Sequence, residues 1–166
     1  MSDFVHQRHQ PPVELAQPRE LIVACPPLRS NVNLSRIVRA AGCCGVRKMV
    51  VCGNAKIDQK IARASLDQIE ITRRRSLAPA LRQFREDGYT IVGLEQTTNS
   101  VSLHSFAFDR RSVLVVGHER HGLTDDLLAL IDHVVEIPVY GMPHSYNVAT
   151  AASMTLYEYC RQFPAG

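Results

Sequence analysis

Apolar residues along the chain gather in short runs separated by longer amphipathic stretches. ELIVAC (20–25), RKMVVCG (47–53), GYTIVGLEQ (88–96), SVLVVG (112–117) and HVVEIPV (133–139) are rich in Val and Ile, and each predicts a short buried strand. Helical spacing fills the intervals. LSRIVRAAGCCG sets Leu34, Ile37, Val38 and Ala41 on one stripe and stops at Gly45; SLAPALRQFREDG runs from a Ser cap to Gly88. TDDLLALID opens on Thr124 with two acids in its first turn, and NVATAASMTLYEYCRQF closes the chain. This alternation predicts an α/β domain over 20–166, a mostly parallel sheet flanked by helices. Residues 1–19, with three prolines and few apolar positions, read as a flexible arm.

Composition narrows the class. With 166 residues, 45% of them hydrophobic, the chain is long enough to bury one core. No apolar run approaches the ~18 residues that span a bilayer, and the opening residues lack the apolar centre of a secretion signal, so a cytoplasmic location without membrane partners is expected. Cys25, Cys43, Cys44, Cys52 and Cys160 are odd in number, form no C-x-x-C pair and sit mostly in apolar stretches, which predicts reduced, buried thiols. The formal charge of +3 permits nucleic-acid binding without announcing it. Basic residues are 16 Arg against 3 Lys, and Arg is the side chain whose fork grips phosphate in two places. TRRRS at 72–76 reads either as a phosphate-facing patch or as a solvated helix end.

In a parallel sheet, ligands bind beyond the carboxyl ends of the strands, so the loops there carry the functional question. No G-x-G-x-x-G follows a strand, against a dinucleotide fold. GHERHGLT has Leu123 where a phosphate loop needs Lys. His118-Glu119 with His121 misses H-E-x-x-H by one residue and lies between glycines, so no metal site is expected. Ser145 lacks a nucleophile elbow, against a hydrolase using His144 or His121 with Asp125. The turn YGMPHSYN (140–147) holds far more than the breaker and cap that a strand-to-helix connection requires.

Three segments, SNVNLSRIVRAAGCCGV (30–46), LVVGHERHGL (114–123) and IPVYGMPHSYNVATAASMTLYE (137–158), resemble in order and spacing the three motifs of the SPOUT-class RNA ribose methyltransferases, TrmH branch. GYTIVGLEQTTNSVSL extends the likeness toward the enzymes that methylate the D-loop guanosine ribose of tRNA. The resemblance implies a C-terminal deep trefoil knot, S-adenosylmethionine as methyl donor, an RNA substrate and a homodimer. It places the donor near Val116, Gly117, Ile137, Tyr140, Gly141, Met142, Ser145, Tyr146 and Asn147. Catalytic positions carried over are Asn33, Arg39, Glu119, Ser145 and Asn147, with Tyr146 where an aliphatic residue is usual. Arg39 would anchor the neighbouring phosphate and stabilise developing charge rather than act as a free base, since its guanidinium stays protonated above pH ~12. Gly141 would let backbone approach the ligand.

Local structure explains several of these residues equally well. Ser145 would cap the last helix with Asn147 in its first turn, Asn33 would cap the helix from Leu34, and Glu119 would be a solvent-facing acid. Met154, Leu156, Tyr157 and Tyr159 would form the dimer face or face the core. Alternatives to tRNA methylation at the D-loop are a wobble or ribosomal RNA target, a catalytically silent RNA-binding relative, and an enzyme of another nucleotide cofactor.

Overall fold

All five Val/Ile runs become strands, and the turns between them fix where each begins and ends. The computed structural model describes residues 2–166. In chain order the strands are β1 (Leu21–Cys25), β2 (Lys48–Cys52), β3 (Glu70–Arg74), β4 (Thr90–Leu94), β5 (Val101–Ser102), β6 (Ser112–Val115) and β7 (His133–Glu136). The helices are α1 (Asn31–Cys43), α2 (Gln59–Ala62), α3 (Ser65–Gln68), α4 (Ala78–Glu86), α5 (Asp125–Leu128) and α6 (Val148–Gln162). Strand order is β3-β2-β1-β6-β4-β7-β5, and every neighbouring pair is parallel. All carboxyl ends therefore open on one edge of the sheet.

Burial on both faces explains the near-continuous apolar strands. On one face Val23, Met49, Val51 and Leu114 pack beneath α1 and α6; on the other Ile22, Val50, Ile91 and Val113 pack beneath α4 and α5. The predicted stripe of α1, Leu34, Ile37, Val38 and Ala41, is wholly buried. Burying each such side chain contributes about 1.5–3 kcal/mol.

The caps differ from expectation. Ser30 caps α1, its hydroxyl accepting the Asn33 amide at 3.1 Å, so the helix starts at Asn31 and Asn33 lies inside its first turn. Asn147, not Ser145, caps α6, its Oδ1 accepting the amides of Ala149 (2.9 Å) and Thr150 (3.3 Å). Helix α4 begins without a side-chain cap and carries Pro79 in its first turn, where the missing N–H costs nothing.

Other corrections follow from the fold. TRRRS is no helix end: Thr72 to Arg74 finish β3, the outer strand of the sheet. Leu156 and Tyr159 are fully buried within the chain, so of the four residues offered for a dimer face only Met154 and Tyr157 turn outward. Of the thiols, which are all free, Cys25 and Cys52 are buried while Cys43 is exposed. Burial pushes the Cys25 thiol up to about 12.

The segment leading into β1 meets the segment after α6 at the amino edge of the sheet. Ala16 and Gln17 donate to the Ala165 carbonyl at 2.9 and 3.3 Å. Arg19, buried, donates from Nε to the Cys44 carbonyl and from Nη1 to the Phe163 carbonyl, both at 2.6 Å, with its guanidinium over the Tyr159 ring. That single side chain ties β1, α1 and α6 together. Burial pushes the Tyr159 hydroxyl up to about 12, and it donates to the Arg110 carbonyl at 2.5 Å. Arg19→Ala strands two acceptors and is expected to cost about 3 kcal/mol; urea unfolding checks this, and a loss below about 1 kcal/mol would contradict it.

Candidate active site

The carboxyl edge gathers the loops that follow β1, β4, β6 and β7. After β6 the chain makes a tight loop in which His118 and Gly122 exchange backbone hydrogen bonds at 2.9 and 3.0 Å. Gly122 has φ +62°, and a Cβ there would lie 2.0 Å from Glu95 Oε2. A Cβ at Gly117 would come within 3.1 Å of the Gly122 backbone. Gly122 is favoured by its positive φ, and a side chain at Gly117 would crowd the Gly122 backbone. Glu95, at the end of β4, fastens this loop by accepting the Leu123 amide at 2.9 Å, while its other oxygen accepts the Gln96 amide at 2.8 Å.

Glu119 is no solvent-facing acid. Its carboxylate reaches the amino end of α1 and accepts the amides of Arg29 (3.1 Å to each oxygen) and Ser30 (3.0 Å), with Asn33 Nδ2 at 3.4 Å. Burial disfavours the anion, but the Ser30 and Arg29 amides, its own amide and Asn33 outweigh that, and the carboxyl is held below the usual carboxylate range. The dipole of α1 acts in the same sense. Asn33 continues the chain of contacts, accepting Asn147 Nδ2 at 3.1 Å. One connected set, Glu119–Asn33–Asn147, thus joins all three motif segments.

Beside this set lies an open pocket of about 290 Å³. Leu94, Ile137 and Val139 give it an apolar wall, Gly117 and Gly122 expose backbone, and Glu95, Glu119 and Glu136 bring carboxylates to its lining. Ser145 and Tyr146 close another side. Among the described residues the Ser145 hydroxyl has no hydrogen-bond partner in the protein, which leaves it free for a ligand.

Of the residues expected at the methyl donor, Gly117, Ile137, Ser145 and Tyr146 line the pocket, with the catalytic position Glu119 beside them. Val116 does not: its side chain is buried in the core and its amide is spent on Ala24 (3.1 Å). Tyr140 and Met142 are largely exposed, and Gly141 stands in open space, so no contact within the chain requires glycine there. The 140–146 turn is fastened at two points, Tyr140 hydroxyl to His104 (3.0 Å) and the His144 carbonyl to Gln96 Nε2 (3.3 Å). Asn147 is exposed and does not line the pocket, its polar atoms taken by the helix cap and Asn33. Arg39 lies about 9 Å along α1 from Asn33. It is exposed over a second groove with Arg36, Lys60, Ala149, Thr150 and Ser153, on the other side of the first turn of α6. Neither Arg39 nor its neighbours Arg36 and Lys60 enters an ion pair among the described residues.

Sequence reasoning missed Glu95, Gln96, Glu136 and the cap Ser30. Glu95 and Gln96 stood in GLEQ at the carboxyl end of an expected strand, which is the one signal that would have found them. His118 and His121 stack at 4.9 Å, and His118 Nδ1 accepts the Arg120 amide at 3.0 Å.

Residues 20–157 match the model of the SpoU rRNA methylase family. A mouse tRNA (guanosine(18)-2'-O)-methyltransferase is 32% identical over 149 residues, which cover 86% of this chain and 9% of the mouse protein. The structure of a TrmH/SpoU tRNA modifying enzyme of A. aeolicus superposes with a TM-score of 0.81 at 30% identity, covering 87% of this chain and 75% of the other. That of an AdoMet-bound rRNA methyltransferase of Sinorhizobium meliloti gives 0.76 at 27%, covering 93% and 61%. This chain thus spans a small part of the mouse protein and less than two thirds of the S. meliloti one.

Because the Glu119 pKa is lowered on folding, its ionised form stabilises the protein above the unfolded carboxyl value of about 4.3, and that stability is lost as pH falls through the folded value. Glu119→Gln is expected to lower the melting temperature at pH 7, with the gap closing below about pH 4. Thermal unfolding across pH checks it; a gap that does not change with pH would contradict the assigned anion.

Proposed function

The chain belongs to the SpoU rRNA methylase family, and from that premise we propose that it transfers a methyl group from S-adenosylmethionine to a ribose 2'-hydroxyl of RNA. tRNA is the favoured substrate and the D-loop guanosine the favoured target. The observation that carries the reading is the Glu119–Asn33–Asn147 set beside a pocket with an apolar wall, bare glycine backbone and carboxylates. Those features fit a donor with a flat apolar base at one part and positive charge at another: Leu94, Ile137 and Val139 would hold the base, and the carboxylates would attract the cation. When bound, S-adenosylmethionine supplies an electrophilic methyl on a sulfonium, and no metal is required for that chemistry.

The chain's own task is to present the hydroxyl and accommodate the charge that develops on it. Glu119 is a poor general base, since its oxygens already accept amides and its pKa is moved away from neutrality. Its role is to hold the β6 loop against α1. Asn33 and Asn147 fix the first turn of α6, which separates the pocket from the groove of Arg39. A nucleotide laid across that turn would put its ribose toward Ser145 and the next phosphate toward Arg39. The Arg39 guanidinium then grips the phosphate and stabilises the forming alkoxide, while the proton leaves to that phosphate or to water.

A knotted C-terminal path and a pairing of two copies accompany this reading, with exposed Met154 and Tyr157 on α6 and Val32 on α1 available to such a pair. So does a cytoplasmic location, where tRNA is found. No helix among the described residues is long and apolar enough to cross a membrane.

Transfer of labelled methyl to unfractionated tRNA and, separately, to ribosomal RNA, followed by nuclease mapping, tests the proposal. A single 2'-O-methyl guanosine in the D-loop is expected. Arg39→Ala is expected to reduce kcat by about 100-fold or more, and Arg39→Lys to recover only part of it, having charge without the fork. Label at another ribose would replace the substrate and keep the chemistry. Absence of label in both RNAs would overturn the reading in favour of a silent RNA-binding relative.

A further inference from the structure

The cations of this protein are sorted between the two edges of the sheet. At the amino edge several meet a carboxylate: Arg110 and Arg111 pair with Glu20 at 2.9 and 3.5 Å, and Arg85 pairs with Asp132 at 2.8 Å. Among the described residues Arg47 and Lys48 have no ion-pair partner there, and Arg19 donates to carbonyls. At the carboxyl edge, Arg29, Lys56, Arg73, Arg74, Arg75 and Arg120 are all exposed, and none joins an ion pair among the described residues. Acids are present on that edge too: Glu119 accepts the amides of Arg29 and Ser30, Glu95 those of Leu123 and Gln96, Asp58 that of Lys60 and Glu136 the Ser100 hydroxyl, while Asp125 and Asp126 stand exposed at the start of α5. None of those carboxylates comes within ion-pair distance of the six cations.

Three of these cations are consecutive at the end of β3, the outermost strand: Arg73 and Arg74 close it and Arg75 follows. Arg73 is held in place by neutral groups, donating to the carbonyls of Gly53 (3.2 Å) and Ala55 (2.8 Å). Arg74 and Arg75 make no side-chain hydrogen bond among the described residues. With Lys48, Ser76 and Gln83 they line a groove between β3 and α4. Its carboxylates, Glu70 and Asp87, stand at the start of β3 and the end of α4, hence toward the amino edge. Keeping an edge strand from pairing with another chain needs one or two charges, and three consecutive arginines exceed that need.

We infer that Arg74 and Arg75 form a docking site for the phosphodiester backbone of the RNA substrate, remote from the pocket and on the same edge of the sheet. The inference rests on the RNA methyltransferase reading for the identity of the ligand. Arginine forks bind phosphate oxygens in pairs, and such contacts position a nucleic acid without reading its sequence. A strand fixed in the sheet gives the site a constant place relative to the β1, β4, β6 and β7 loops. The transfer site then receives a ribose whose helix is already held at a distance along the rim.

Equilibrium binding of unfractionated tRNA at several salt concentrations, with steady-state methyl transfer alongside, tests this on the unmodified protein, on Arg74→Gln/Arg75→Gln and on Arg47→Gln. The double variant is expected to bind tRNA about 10-fold more weakly, with a salt slope smaller by about 2. Its KM for tRNA should rise in proportion, with kcat and S-adenosylmethionine affinity unchanged. Arg47→Gln should leave all five unmoved. Unchanged tRNA affinity and salt slope in the double variant would overturn the inference, as would an equal loss in Arg47→Gln, which would reduce the effect to net charge. If the unmodified protein methylates no RNA yet binds tRNA through Arg74 and Arg75, the methyltransferase reading falls and the docking site stands.

Discussion

The hydrogen bonding of one carboxylate organises the carboxyl edge of this protein. Glu119 comes from the loop after β6, and the amides of Arg29 and Ser30 that it accepts come from the loop after β1, about ninety residues earlier. An anion placed on the free amides at the start of α1 satisfies donors that the helix cannot satisfy itself. Hydrogen bonds to a charged group are worth about 1.5–3 kcal/mol each, enough to offset partial burial of the acid. Through Asn33 the same constraint reaches Asn147 and so sets where α6 begins. Remove the anion and three loops lose their common reference.

That arrangement divides labour among side chains that sequence comparison groups together as one site. Glu119, Asn33 and Asn147 spend their polar atoms on one another and on backbone. Ser145 and Arg39 spend none on the protein, and they stand on opposite sides of the first turn of α6. The first group builds the frame; the second is left to meet ligand. The unpaired arginines of the same edge extend that distinction beyond the pocket, since cations with structural work, such as Arg19 and Arg110, are engaged at the opposite edge.

Much of the fold was legible in the pattern of residues. Strands buried on both faces need Val and Ile at consecutive positions, and the five runs supplied them; the α1 stripe located its core face residue by residue. β3 escaped because EITRR is an outer strand with exposed charges and only one apolar side chain, which no periodicity marks. β5, α2 and α3 escaped because they are two to four residues long. Caps were misassigned by a few residues, since Ser30 and Asn33, or Ser145 and Asn147, are equally good cap types and only backbone geometry chooses between them. The site was legible as three segments, through their resemblance to a family. That Glu119 reaches α1, that Glu95 pins the glycine loop, and that Arg39 stands apart from the pocket depend on contacts between distant segments, which local spacing does not encode.

If the frame held by Glu119 makes a pocket for S-adenosylmethionine, calorimetric titration of that ligand will show it. One molecule is expected to bind per chain of the unmodified protein at pH 7, with affinity reduced at least several-fold in Glu119→Gln although its fold, judged by circular dichroism, persists. No binding by the unmodified protein, or binding undiminished in the variant, would contradict it.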